Sequence, residues 1–129
     1  MQEGKHVILC IDDDPDVLIP LKIILEGGGY AVVTAPDAKE GIRIFREAKP
    51  DLVILDLMME EIDAGIHLVK EIQALDKLVP IYMLSSTGDY LHSTADMSSL
   101  GFAGVFQKPV NSKILLSLIR TKLKGKPAP

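Results

Sequence analysis

The chain has 129 residues, 47% hydrophobic and 25% charged, which fits one globular domain with a real apolar core. Its formal net charge of −4 offers no electrostatic footprint for nucleic acid, and no apolar stretch is long enough to cross a bilayer. The single cysteine, Cys10, sits inside an apolar run, which excludes an internal disulfide and a thiolate metal site. Met1–His6 is short and polar with no secretory pattern, so a cytoplasmic location is expected, with neither membrane nor direct nucleic-acid binding. The basic stretch Lys113–Lys126 reads as a solvated helix face.

Strand-like and helix-like stretches alternate along the chain. The first strand is predicted over His6–Ile11. A helix follows, with Asp14 as its cap and Pro15 in its first turn, where no amide donor is needed. Gly27-Gly28-Gly29 ends it, and Pro20 is expected to kink it at a cost of up to about 3 kcal/mol. A second strand covers Ala31–Thr34 and a second helix Asp37–Ala48, with Ala38, Ile42 and Phe45 on one stripe. Lys49-Pro50-Asp51 turns into a third strand, Leu52–Leu55. The third helix is predicted over Gly65–Leu75 with Ile66, Val69 and Ile72 inward, and the fourth strand over Ile81–Leu84. A Ser- and Thr-rich helix, Tyr90–Leu100, stops at Gly101, and a fifth strand covers Gly104–Phe106. The last helix, Ser112–Lys124, takes Asn111 or Ser112 as cap and Ile114, Leu115, Leu118 and Ile119 as its apolar stripe. Residues 1–124 thus form one domain, and 125–129 are expected to be a disordered tail or the start of a linker.

This alternation predicts an α/β fold, a doubly wound five-stranded parallel sheet with helices on both faces. The strand order 2-1-3-4-5 puts the first and third strands side by side, so Asp12 and Asp13 fall next to Asp56.

Four of the apolar runs end in polar groups: Asp12-Asp13-Asp14, Asp56, Ser85-Ser86 and Gln107-Lys108-Pro109. Such runs read as buried parallel strands whose C-terminal ends open onto one site. Three carboxylates gathered there repel one another, which raises the pKa of some of them. A hard divalent cation, Mg²⁺ or Mn²⁺, relieves that repulsion with oxygen ligands from Asp12, Asp13, Asp56 and a backbone carbonyl, expected from Met58. A carboxylate can also attack phosphorus and form an aspartyl-phosphate. Lys108 supplies positive charge for the transferring oxygens and Ser85 a hydrogen bond. Asp14 reads as a helix cap only.

These residues resemble the response-regulator receiver domain, the CheY-like phosphoacceptor of two-component signalling. The resemblance lies in Ile8-Leu9-Cys10-Ile11-Asp12-Asp13-Asp14-Pro15, in Asp51–Met59 around Asp56, in Pro80–Ser86, and in Lys108-Pro109, spanning about residues 5–124. It implies a flavodoxin-like (βα)5 fold and a phosphorelay protein that catalyses only its own phosphotransfer and dephosphorylation. By the same resemblance Asp56 is the phosphorylation site. Asp13 is the main Mg²⁺ ligand, assisted by Asp12 and the Met58 carbonyl. Ser85 senses the phosphoryl group, and Lys108 clamps it. The implied donor is a sensor histidine kinase or a histidine phosphotransfer protein. A downstream effector of unknown kind and a possible homodimer complete the expected partners.

The chain departs from the family pattern in three places. Val105 stands at the switch position, three residues before the lysine, where an aromatic residue is usual; Phe106 follows but should face the other side of its strand. A muted or rerouted conformational output is therefore expected. The loop Met59–Gly65 lacks the usual proline and reads as one residue longer, with Glu60 and Glu61 adding negative charge near the metal entrance. Ser86 replaces a smaller residue and is expected to narrow access to the aspartyl-phosphate. Helix one also carries more apolar residues than one buried stripe needs, leaving Ile19 and Ile23 as a candidate docking face.

Two other readings compete. A pseudo-receiver would use the same scaffold for protein binding without using Asp56. An α/β phosphohydrolase with an aspartate nucleophile would need a second acid two residues on, where Met58 stands.

Overall fold

The computed structural model describes residues 5–56, 62–85, 101–108 and 110–124. Their elements run β1 (Val7–Ile11), α1 (Pro15–Gly27), β2 (Ala31–Ala35), α2 (Ala38–Ala48), β3 (Leu52–Asp56), α3 (Ile62–Leu75), β4 (Ile81–Ser85), β5 (Gly104–Gln107) and a C-terminal helix, α4 (Ser112–Leu123). The predicted helix Tyr90–Leu100, the tail from Gly125, and Met58, Glu60 and Ser86 lie outside the described residues.

The five strands form one parallel sheet in the order β2-β1-β3-β4-β5, as the alternation predicts. Every residue of β1, β3 and β4 is buried, because the central strands of a doubly wound sheet are covered on both faces. Side chains alternate between two cores. Leu9, Ile11, Val53, Leu55, Ile81 and Met83 pack with Phe45 of α2 and Leu68, Val69 and Ile72 of α3. Ile8, Cys10, Leu52, Ile54, Tyr82, Leu84 and Phe106 pack on the opposite face, with Leu21 and Leu25 of α1 and Leu115, Ile119 and Leu123 of α4.

Local chemistry sets the helix ends. Asp14 caps α1 by accepting the Asp16 N–H at 2.8 Å, Asp37 caps α2 through the Glu40 N–H at 2.8 Å, and Asn111 caps α4 through the Ile114 N–H at 3.0 Å. α1 closes at Gly27-Gly28, and Gly29 follows at φ +96°, a turn that suits glycine. α1 continues through Pro20; Asp16 and Pro20 are both exposed, so water can take the carbonyl that the missing N–H leaves over.

Three expectations change. Strands β2 to β5 each run one residue further than predicted, so Asp56 and Ser85 are the last residues of their strands rather than the first of loops. α3 starts at Ile62, not Gly65, so 62–65 belong to the helix and the connection from β3 is only 57–61. With no proline in the stretch, nothing in its backbone chemistry opposes that extra turn. In α4, Ile114 and Leu118 are exposed, and the buried stripe is Leu115, Ile119 and Leu123. A helix lying against one edge of a sheet buries a narrower strip than its apolar content allows.

Candidate phosphoryl-transfer and metal site

Each central strand delivers a polar group to the C-terminal edge of the sheet. β1 and β3 are hydrogen-bonded neighbours with Ile11 opposite Leu55, so Asp12 and Asp56 follow side by side. β4 lies beyond β3 and ends at Ser85; β5 lies beyond β4, with Gln107 opposite Ser85. The backbone N–H of Lys108 donates to the Ser85 carbonyl at 2.8 Å, which fixes the start of the lysine stem against β4.

Lys108 then reaches back across the edge. Its Nζ lies 2.9 Å from Asp56 Oδ2 and 3.1 Å from Asp12 Oδ2, bridging two carboxylates from different strands. Carboxylate oxygens of Asp12, Asp13 and Asp56 all lie within 4.8 Å of one another. Asp12, Asp56 and Ser85 are buried, whereas Asp13 is exposed at the mouth.

Asp12 is held from two sides. Its backbone N–H donates to the Ala35 carbonyl at 3.2 Å, and its Oδ1 accepts the Asp14 N–H at 3.0 Å. Its Oδ2 is fully buried and faces the Lys108 ammonium without an aligned hydrogen bond. Burial raises the Asp12 carboxyl above the ordinary carboxylate range, although the Asp14 N–H and Lys108 pull the other way. Desolvation, not the mutual repulsion expected among the three carboxylates, is the larger cause, and the Asp56 charge is a minor one. Burial also presses the Lys108 ammonium downward, but the two carboxylates outweigh it and leave lysine above its ordinary value.

A divalent cation fits this donor set. It would be met by hard oxygens, as Mg²⁺ prefers, and the buried Oδ2 of Asp12 lacks an aligned donor among the described residues.

A sequence profile described as the response regulator receiver domain matches residues 8–120, which spans all of these site residues. The chain belongs to the receiver domain family.

Among the receivers it resembles is the transcriptional regulatory protein GlrR of Escherichia coli K12, 38% identical over 112 residues, 87% of this chain and 25% of that protein. The DNA-binding response regulator MtrA of Mycolicibacterium smegmatis is 34% identical over 124 residues, 96% of this chain and 53% of its own length. The chain thus spans between a quarter and about half of these relatives. A receiver domain protein from Clostridium thermocellum has a solved structure that matches with a TM-score of 0.82 at 31% identity, covering 94% of this chain and 96% of that one. The chain is a receiver of the two-component response-regulator type, a phosphoacceptor signalling module.

In this receiver the sequence-predicted residues Asp12, Asp13, Asp56, Ser85 and Lys108 come together at one edge. Val105 is half-buried against the α2/α3 core, while Phe106 lies on the other face, as strand alternation predicts. Ile19 and Ile23 are exposed, at 58% and 65%. Sequence reasoning missed the second engagement of Lys108, with Asp12, and the backbone bond from Lys108 to Ser85. No motif announces either, since both depend on the register of β4 and β5. Among the described residues no helix is long and apolar enough to cross a membrane.

Proposed function

We propose that Asp56 accepts a phosphoryl group from the phosphohistidine of a sensor kinase or phosphotransfer protein, in a reaction that depends on Mg²⁺ or Mn²⁺. The observation that carries this reading is the ammonium of Lys108, 2.9 Å from Asp56 Oδ2 at a carboxylate-lined strand edge. An Asp56 carboxylate oxygen attacks phosphorus and the P–N bond breaks. Its electron pair leaves with the imidazole nitrogen, which takes up a proton, and an acyl phosphate remains on Asp56. Lys108 follows the transferred oxygens from where it already stands, and the Ser85 hydroxyl donates to one of them. Asp12, Asp13, Asp56 and the Met58 carbonyl would hold the cation, which supplies charge neutralisation for the transferring group. The domain catalyses only its own phosphotransfer and dephosphorylation, and it signals to a downstream effector by changing conformation.

Incubation with acetyl phosphate and Mg²⁺ tests the assignment. A mass gain of one phosphoryl group is expected in the native chain and none in Asp56→Asn. An unmodified native chain would instead support the pseudo-receiver reading.

A further inference from the structure

The N-terminal edge of the sheet, opposite the carboxylates, carries an apolar surface that phosphoryl transfer does not use. α2 ends at Ala48 just before β3, and α3 ends at Leu75 just before β4. Because the strands are parallel, both connections lie at the edge away from Asp56 and Ser85, which end β3 and β4. Between them is a groove of about 320 Å³, lined by Phe45, Pro50 and Leu75 together with Arg46, Lys49 and Asp76. Phe45 and Pro50 are buried, and Leu75 is half exposed. Three residues beyond Leu75, Leu78 is 88% exposed, more than any other large apolar side chain among the described residues. Its backbone N–H donates to Asp76 Oδ1 at 2.9 Å, which fixes it in a turn next to the groove. An apolar knob thus stands beside an apolar hole.

The charges around the groove are unspent. Arg43 takes both acids of α2, with Nε 2.6 Å from Glu40 and Nη1 3.0 Å from Glu47. Arg46 and Lys49 are left without an ion pair among the described residues, and Asp76 has no cationic partner there either. The surface therefore presents open charge of both signs. A partner of one sign would leave the other uncompensated, whereas a second copy turned by a two-fold axis offers each cation the other's carboxylate. The same rotation brings each Leu78 to the other's groove.

We propose that this end of the sheet is a homodimer interface, in which Leu78 of each copy seats against Phe45, Pro50 and Leu75 of the other and Asp76 meets Arg46 or Lys49 across the two-fold axis. The interface does not involve Asp56. The two carboxylate edges point away from one another and stay open in the dimer, so association is independent of phosphorylation. With one leucine knob per copy the contact is at the small end of specific interfaces, so the dimer is weak and concentration-dependent.

Sedimentation equilibrium on the whole chain, from about 10 μM to about 1 mM, tests the proposal. The native mass is expected to rise from monomer toward dimer across that range. In methyl and amide NMR, dilution should move the Leu75 and Leu78 methyls and the Lys49 and Asp76 amides, and leave the Ile19, Ile23, Ile114 and Leu118 methyls in place. Leu78→Ser and Arg46→Glu, both at exposed positions, should each weaken association about tenfold or more while the amide spectrum stays that of the folded monomer. Asp76→Asn keeps an acceptor for the Leu78 N–H and should weaken association as well. Beryllium fluoride with Mg²⁺, a phosphoryl mimic, should leave the association constant unchanged. A native chain that stays monomeric throughout, a dimer undiminished by Leu78→Ser, dilution shifts centred on Ile19 and Ile23 or on Ile114 and Leu118, or association that appears only with the mimic overturns the interface.

Discussion

Lys108 Nζ lies 3.1 Å from Asp12 Oδ2, and in that position it serves as the counter-charge for the very oxygen a divalent cation would seek. Lysine and cation therefore compete. Lys108→Met is expected to lower stability in EDTA by about 1–3 kcal/mol, the usual effect of removing a charged hydrogen-bond partner. The same variant should bind Mg²⁺ more tightly than the native chain. Urea melts and calorimetric Mg²⁺ titration measure the two effects, and a weaker Mg²⁺ affinity in the variant would contradict competition.

The burial of Asp12 predicts a pH dependence of the fold with a definite sign. Its folded pKa is raised, chiefly by burial. The group's stabilising contribution is therefore complete below its ordinary value of 3.8 and is lost as pH rises through the folded value. Asp12→Asn removes that loss while its side-chain oxygen can still accept the Asp14 N–H. In EDTA the variant should melt higher than the native chain at neutral pH, and the gap should close toward pH 3.8. Added Mg²⁺ should narrow the gap at neutral pH by stabilising the native chain more than the variant, which keeps Asp13 and Asp56 but loses one carboxylate ligand. Thermal melts across pH check all three.

Cys10 is fully buried, and burial pushes its thiol far above the usual range. The native protein is expected to resist Ellman's reagent at pH 8 and to react fully in denaturant. Cys10→Ser replaces an apolar-like sulfur with a hydroxyl in the α1/α4 core and should cost about 1–3 kcal/mol in a urea melt.

The α4 cap is an isolated and measurable contribution. Asn111 is exposed, and its side-chain Oδ1 accepts the Ile114 N–H at 3.0 Å. Asn111→Ala is expected to lower stability by about 1 kcal/mol in urea melts, with the acetyl-phosphate reaction retained.

Much of this molecule is decided by sequence pattern alone. The apolar runs through Ile8, Val53 and Met83 have strand length and no polar interruption, which only a sheet covered on both faces satisfies. Asp14, Asp37 and Asn111 announce helix starts because capping is local chemistry, settled within three residues. Asp12, Asp56, Ser85 and Lys108 were legible for a similar reason: each closes its own strand, and parallel strands deliver their ends to one edge.

Tertiary packing decided the rest. Ile114 and Leu115 are equally apolar, yet the sheet covers only one side of α4 and leaves Ile114 exposed. α3 starts at Ile62, three residues before the predicted Gly65, because residue preferences leave a helix boundary open by a few residues. Repulsion among acids is visible in a sequence, but the burial that dominates Asp12 is not. The bridge from Lys108 to two carboxylates on separate strands likewise needs the register of β1, β3, β4 and β5. Sequence named the groups and their edge, because strand periodicity and capping act over a few residues. Distances, desolvation and the division between the Phe106 and Val105 faces came from the fold, because they depend on residues far apart in the chain.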